Sequence, residues 1–91
     1  MKGVVNMTIS RHNARQIFFD ELTELCDIYG KFYDLMLKHS YSFADVKNVE
    51  YVRGQIYKVV EIAVKFGFTV SLYWDDTEPL YYRPLHGFTI Y

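Results

Sequence analysis

Two stretches of the chain carry apolar residues at alternating steps of three and four, a spacing that keeps them on one side of an α-helix. The first stretch predicts a helix over residues 11–39, and the second predicts a helix over residues 43–66. The apolar positions of the first are Phe18, Leu22, Leu25, Tyr29, Phe32 and Met36. Those of the second are Val49, Val52, Ile56, Val59, Ala63 and Phe66. Because the connection is short, the two helices are expected to pack antiparallel through these stripes.

Polar residues and a glycine indicate where these helices begin and end. Asn13 with Gln16 resembles a capping box for the first helix, and Ser10 is the competing cap. Ser42 is the predicted cap of the second helix, and Gly67 follows its end.

From Phe68 onwards apolar and polar residues alternate, which predicts a β region over residues 68–91. The alternation turns Trp74 and Phe88 inward. A polar turn over residues 75–79 separates the first extended segment from shorter ones, so we expect an antiparallel β-hairpin or a three-stranded meander. Its inner face is expected to pack on the second helix. That helix carries further apolar residues beside its stripe, namely Val60, Ile62 and Val64.

The elements together predict a single α+β domain over residues 1–91, in which an antiparallel two-helix hairpin packs on the small C-terminal sheet. Residues 1–9 precede the first helix as an arm or an edge strand. A chain of 91 residues provides a modest core but no deep enclosed active site. Gly30 and Gly54 lie inside the helices, where each costs about 1 kcal/mol relative to alanine. A close approach of the two helix backbones is the expected explanation, and a kink at a functional groove is the alternative.

The composition favours a binding protein. Aromatic residues make up 19% of the chain, with nine Tyr, seven Phe and one Trp, and so short a chain cannot easily bury them all. Some are therefore expected to form an exposed binding surface. The net charge of −1 argues against duplex nucleic acid as a partner, because neutralising phosphates requires a basic face.

The cysteine count and the hydropathy pattern bear on the compartment. The single cysteine, Cys26, excludes an internal disulfide and suits a reducing compartment. No apolar run approaches the roughly 18 residues that span a membrane, so no membrane contact is expected. The first six residues are too short and polar for a signal peptide. A cytoplasmic protein is therefore expected.

The candidate chemical groups lack the spacing of a catalytic or metal site. The following residues have no close partner of the kind that zinc needs: His12, His39, His86 and Cys26. Neither a metal nor another cofactor is therefore expected. The chain has no nucleophile elbow and no glycine-rich phosphate loop. His86 with Asp75 or Asp76 is the kind of acid–base pair that any small domain offers, so we expect no catalytic residues and no enzyme activity.

The aromatic tail contains the strongest candidate for a binding site. The predicted binding residues are Tyr73, Tyr81, Tyr82, Arg83 and Tyr91. Alternation turns Tyr73 and Tyr91 outward, together with one of the adjacent Tyr81 and Tyr82, and leaves open which of the two it is. Tyrosines beside an arginine match the composition of interaction hot spots, and they also suit stacking on a nucleobase. The alternative is that they cover the sheet edge and protect it from aggregation.

An acidic row on the first helix is predicted as a secondary electrostatic contact. Its residues are Asp20, Glu21, Glu24 and Asp27. A basic partner would dock on this row. The alternative is an ordinary solvated helix face.

In size and composition the chain resembles the short proteins that phages encode to block host enzymes, such as anti-CRISPR-like factors. The resemblance implies an inhibitor. Our leading hypothesis is a non-catalytic small binding protein, a protein–protein interaction module or inhibitor whose partner is an unidentified protein. The second is a small-ligand or nucleotide binder in which Arg83 or Arg53 holds a phosphate. The third is a homo-oligomeric structural subunit, and a homodimer is compatible with these hypotheses because small helical hairpins can complete a four-helix core by pairing.

Overall fold

The computed structural model of the protein describes residues 10–76 and 82–91. Its elements are helix α1 (Arg11–Lys38), helix α2 (Phe43–Lys65), strand β1 (Val70–Trp74) and strand β2 (Leu85–Ile90). The two strands pair antiparallel. The predicted α+β fold with its helical hairpin is confirmed, and the described sheet has two strands, so the three-stranded alternative is not needed. The predicted arm at residues 1–9 and the predicted binding residue Tyr81 lie outside the described residues.

Serine hydroxyls cap both helices. Ser10 accepts a hydrogen bond from the backbone N–H of Asn13 at 3.1 Å, so the alternative in which Asn13 is the cap is wrong, since Asn13 already lies in the first turn. At α2, Ser42 accepts from the backbone N–H of Asp45 at 3.3 Å, as predicted. The Asp45 carboxylate accepts from the Ser42 hydroxyl and lies 2.6 Å from Nδ1 of His39, and these contacts lower the pKa of Asp45.

The turn between the helices takes a left-handed backbone conformation without glycine. Ser40 and Tyr41 have φ angles of 53° and 62°. Their backbone N–H groups donate to the carbonyls of Leu37 at 3.2 Å and Met36 at 2.7 Å, which is the Schellman arrangement. The end of α2 has the same kind of turn, but there Gly67 takes the positive φ of 94° at no steric cost.

The core lies along the predicted stripes between the helices. Its largest buried cluster consists of Leu22, Tyr29, Tyr33 and Met36 of α1 with Val49, Val52 and Ile56 of α2. The stripe of α2 ends before Phe66, which caps the helix and is 61% exposed, so its predicted burial is wrong. Ile62 and Val64 are also exposed, and only Val60 is half-buried against the core. The predicted widening of the apolar side of α2 is therefore largely wrong.

The two helix glycines do not mark a close approach of the helices. A Cβ atom at Gly30 or at Gly54 would meet no atom within 4 Å. Both residues are exposed. The expected explanation is therefore wrong, because both positions have room for a side chain.

The sheet packs across both helices, with β1 against α2 and β2 against α1. Trp74 of β1 contacts the rings of Tyr29 at 5.7 Å and Tyr57 at 6.2 Å between centroids. Phe88 of β2 contacts Phe19 at 5.3 Å. Trp74 and Phe88 thus face inward as predicted. The prediction of packing on the second helix alone is incomplete, because the sheet lies over the seam between the helices.

Two arginines of α1 bind the C-terminal strand end. The Arg15 Nε donates to the carbonyl of Ile90 at 2.9 Å. The Arg11 guanidinium donates to the carbonyls of Gly67 at 3.2 Å and Tyr91 at 3.3 Å. These bonds join the beginning of α1 to the end of β2 and to the turn that leads into β1.

Candidate functional site

The structure places the predicted binding residues in separate parts of the surface. Tyr73, the next-to-last residue of β1, pairs with Gly87, and its hydroxyl lies 3.0 Å from Oγ1 of Thr89. Tyr91 pairs through its backbone with Thr69, which directly precedes β1 and lies four residues before Tyr73. Both tyrosines are exposed, but this strand spacing puts them about 13 Å apart.

Tyr82 and Arg83 lie near α2 and the core rather than beside these two tyrosines. The Tyr82 hydroxyl donates to the Glu50 carboxylate of α2 at 2.5 Å. The Arg83 guanidinium donates to Asp76 at 3.1 Å, and its backbone carbonyl accepts from the Tyr29 hydroxyl at 2.8 Å. Both residues therefore have bonded positions in the described fold, and Tyr82 is half-buried.

Tyr82 lies near a group of side chains that comes together on α2 and β1. The ring of Tyr57 stacks on Trp74, and Tyr57 is 43% exposed. The Arg53 guanidinium lies 5.8 Å from the ring centroid of Tyr57 and 6.0 Å from that of Trp74. Such cation–π contacts hold a guanidinium and two rings in a defined arrangement. We call Glu50, Arg53, Tyr57, Trp74 and Tyr82 the aromatic patch.

A shallow depression of about 310 Å³ lies at the aromatic patch and is open to solvent. Its described lining consists of Glu50, Arg53, Gly54 and Tyr57. Because Gly54 has no side chain, the helix surface between Glu50 and Tyr57 is uncovered. The lining offers an aromatic ring, a cation and a carboxylate, which together can bind a side chain or a planar group through apolar and polar contacts.

Sequence reasoning named Tyr82 as a binding residue and considered Arg53 only as a phosphate ligand, and it did not place them together with Tyr57 and Trp74. Arg53 and Tyr57 lie one helical turn apart, beside the apolar stripe of α2. Trp74 reaches them only because β1 folds back along α2. The local sequence indication of this site was Gly54, an exposed glycine that lies between Arg53 and Tyr57.

The acidic row lies exposed on α1 and shares no residue with the patch. Asp27 pairs with Lys31 at 3.3 Å along the helix. Asp20 accepts from the Gln16 amide at 2.8 Å. Exposed contacts of this kind are weak and leave the carboxylates able to interact with a second protein.

The groups considered for catalysis have ordinary surroundings. Burial raises the pKa of the Cys26 thiol, which lowers its thiolate fraction at neutral pH and makes it a poor nucleophile. His86 Nε2 lies 3.5 Å from the Asp75 carboxylate; the imidazole is exposed and the carboxylate is half-buried. Across residues 10–76 and 82–91, no three His, Cys, Asp or Glu side chains lie close enough together to hold a metal ion. Neither α1 nor α2 has the length and apolar character needed to cross a membrane.

The aromatic patch is thus the described region where exposed aromatic rings, an arginine and a surface depression coincide. Comparisons with protein-family models, with curated proteins and with solved structures give no match to the chain.

Proposed function

We propose that the protein is a non-catalytic protein-binding module that holds its partner at the aromatic patch. The observation that carries the proposal is the stack of Tyr57 on Trp74 with Arg53 over both rings, at the edge of an open depression. Tyr, Trp and Arg are the residue types that dominate interaction hot spots. Their mutual contacts also hold the side chains before binding, so that less conformational entropy is lost when a partner arrives.

The shape of the depression favours a protein over a small molecule. Small-molecule pockets enclose most of the ligand surface. This depression is open, and its described lining comes from one helix. A side chain projecting from a partner protein would fill it, while the surrounding rings contact the partner's surface.

A substitution at Gly54 tests the proposal without disturbing the fold. Glutamine at this position would occupy the depression, and its Cβ meets no atom within 4 Å. Replacing a glycine inside a helix should also raise the free energy of unfolding, by about 0.5 kcal/mol. Gly30→Gln is the matched control, because Gly30 has equal space on α1 and does not line the depression.

The partner is sought in cytoplasmic extract, since the single cysteine suits a reducing compartment. Immobilised wild-type protein and the two glycine variants are compared, and captured proteins are identified by mass spectrometry. We expect Gly54→Gln to lose the partner that wild type and Gly30→Gln retain. Equal retention by Gly54→Gln would contradict binding at the patch. If the partner is an enzyme, its activity should fall on adding the protein, which is the inhibitory role that the likeness to phage proteins implies.

A small ligand is the second candidate, favoured by the Arg53 cation beside stacked rings at a depression of about 310 Å³. This volume is at the lower end for ligand sites. A native mass spectrum of gently purified protein would show a bound metabolite or nucleotide as added mass. Loss of that mass in Gly54→Gln, and not in Gly30→Gln, would replace the protein-binding proposal with this one.

A further inference from the structure

The helical hairpin has a second face that the described sheet does not cover. On α1, Arg15 and Phe19 contact β2, and Ile17 lies between them in sequence, about 160° around the helix from each. On α2, Arg53 contacts β1, and Ile62 lies nine residues later, two and a half turns and therefore on the opposite side. Ile17 and Ile62 thus point away from the sheet.

Apolar residues line much of this face on both helices, and exposed Glu21 of α1 and Gln55 of α2 lie among them. The exposed apolar residues are Ile17 and Leu35 of α1 and Tyr51, Ile62 and Phe66 of α2. Half-buried residues of the hairpin lie beside them, namely Leu25, Ile28, Phe32 and Val59. We call this surface the open helical face. Large exposed apolar surfaces on small proteins mark contact sites, because leaving them in water is unfavourable.

We infer that the open helical face binds the same face of a second copy of this chain. The product is a two-fold dimer in which four helices form a central layer between two outer sheets. The area supports this. With 28 and 23 residues, the helices are roughly 42 and 34 Å long, and side by side they present roughly 700 Å². Stable interfaces bury about 600–1,000 Å² per partner, so the face is large enough for one.

The charges beside this face select one arrangement of the two copies. Dimers could stack α1 on α1 or α1 on α2 of the second copy, and the second choice brings Asp27 and Lys58 together. Within their own helices these two residues pair with Lys31 and Glu61, and such exposed pairs are weak enough to leave both able to contact the second copy. The acidic row of α1 includes Asp20 and Asp27, whereas the outer side of α2 carries Lys58 and Lys65. Asp20 lies nearly level with Lys65 and Asp27 with Lys58, because the turn joins the helices at one end and Phe18 contacts Phe66 at the other.

The dimer is independent of the proposed binding function. The aromatic patch lies on the sheet side of α2, so it stays accessible when the open helical faces meet. A variant that cannot dimerise should still bind at the patch. The two proposals can therefore fail separately.

Sedimentation equilibrium of the full chain tests the dimer. Wild type is expected at twice its 10.8 kDa chain mass at micromolar concentration. Ile62→Asp should raise the dissociation constant by at least about 100-fold, because the two-fold axis places the change in the interface twice. Val64→Asp is the matched control: Val64 is 53% exposed on the same helix, about 160° from Ile62, and the dissociation constant should stay within about threefold. A monomeric wild type, or equal effects of the two variants, would overturn the dimer.

A charge exchange tests the arrangement. Asp20→Lys with Asp27→Lys should weaken the dimer by about tenfold, since lysines would then face lysines. Adding Lys58→Glu and Lys65→Glu in the same chain should restore wild-type dissociation. In an α1-on-α1 dimer like charges face each other before and after the first exchange. An unchanged dissociation constant for the Asp20/Asp27 variant would therefore overturn the α1-on-α2 arrangement.

Discussion

At the scale of single residues, Tyr29 connects the core between the helices to the segment that leads into β2. Its side chain is 1% exposed, and its hydroxyl donates to the Arg83 carbonyl at 2.8 Å. We expect Tyr29→Phe to lower the free energy of unfolding by about 1–2 kcal/mol, because the hydrogen bond is lost while the carbonyl stays near the core. Urea unfolding measures this change. Tyr91→Phe, at an exposed position after β2, is the control and should have almost no effect on unfolding.

The same residue should make the protein sensitive to alkali. Burial raises the pKa of Tyr29 to about 12, above an unfolded value near 10. Because the pKa is higher in the folded state, protonated Tyr29 contributes its full stabilisation below about pH 10. This contribution is lost as the pH rises through about 12. Wild-type stability should therefore fall over this range. An equally steep fall in Tyr29→Phe would show that another group is responsible.

At the scale of elements, the turn between the helices contains two serines with opposite effects on stability: Ser40 is strained and Ser42 is stabilising. Ser40 takes a positive φ that glycine adopts more easily, whereas Ser42 caps α2. We expect Ser40→Gly to raise the free energy of unfolding by about 0.5–1 kcal/mol after allowing for the greater freedom of glycine in the unfolded chain. Ser42→Ala should lower it by about 1 kcal/mol. Thermal unfolding distinguishes the two, and destabilisation by Ser40→Gly would contradict the assigned strain.

The elements that the sequence predicts correctly are those that follow from local periodicity. Apolar spacing defines both helices, and alternation places Trp74 and Phe88 on the inner face of the sheet. Contacts between elements could not be predicted in this way. Arg53 reaches Trp74 only when β1 lies along α2, and Gly54 becomes the floor of a depression only when its neighbours are placed around it. The separation of Tyr73 from Tyr82 likewise depends on which residues enter β1 and which contact α2.

At the scale of the whole molecule, the described fold has two unlike sides. The sheet and the aromatic patch lie on one side of the helical hairpin, and the open helical face lies on the other. This separation allows one side to bind a partner while the other binds a second copy. The arrangement requires the sheet to stay fixed on the helices, since Trp74 of the patch belongs to β1.

Arg15 fixes the sheet through its bond to the Ile90 carbonyl at 2.9 Å. We expect Arg15→Ala to lower the free energy of unfolding by about 1–2 kcal/mol, since a charged donor to a nearly buried strand end is lost. Hydrogen exchange should locate the effect. The amides of Thr69 and Tyr91, which pair at the end of the sheet, should exchange faster, while core amides of α2 change only with global stability. Lys31→Ala, a change at an exposed position on the same helix, is the control. Equal acceleration along the helices and the strands would show that Arg15 supports the whole fold rather than the attachment of the sheet.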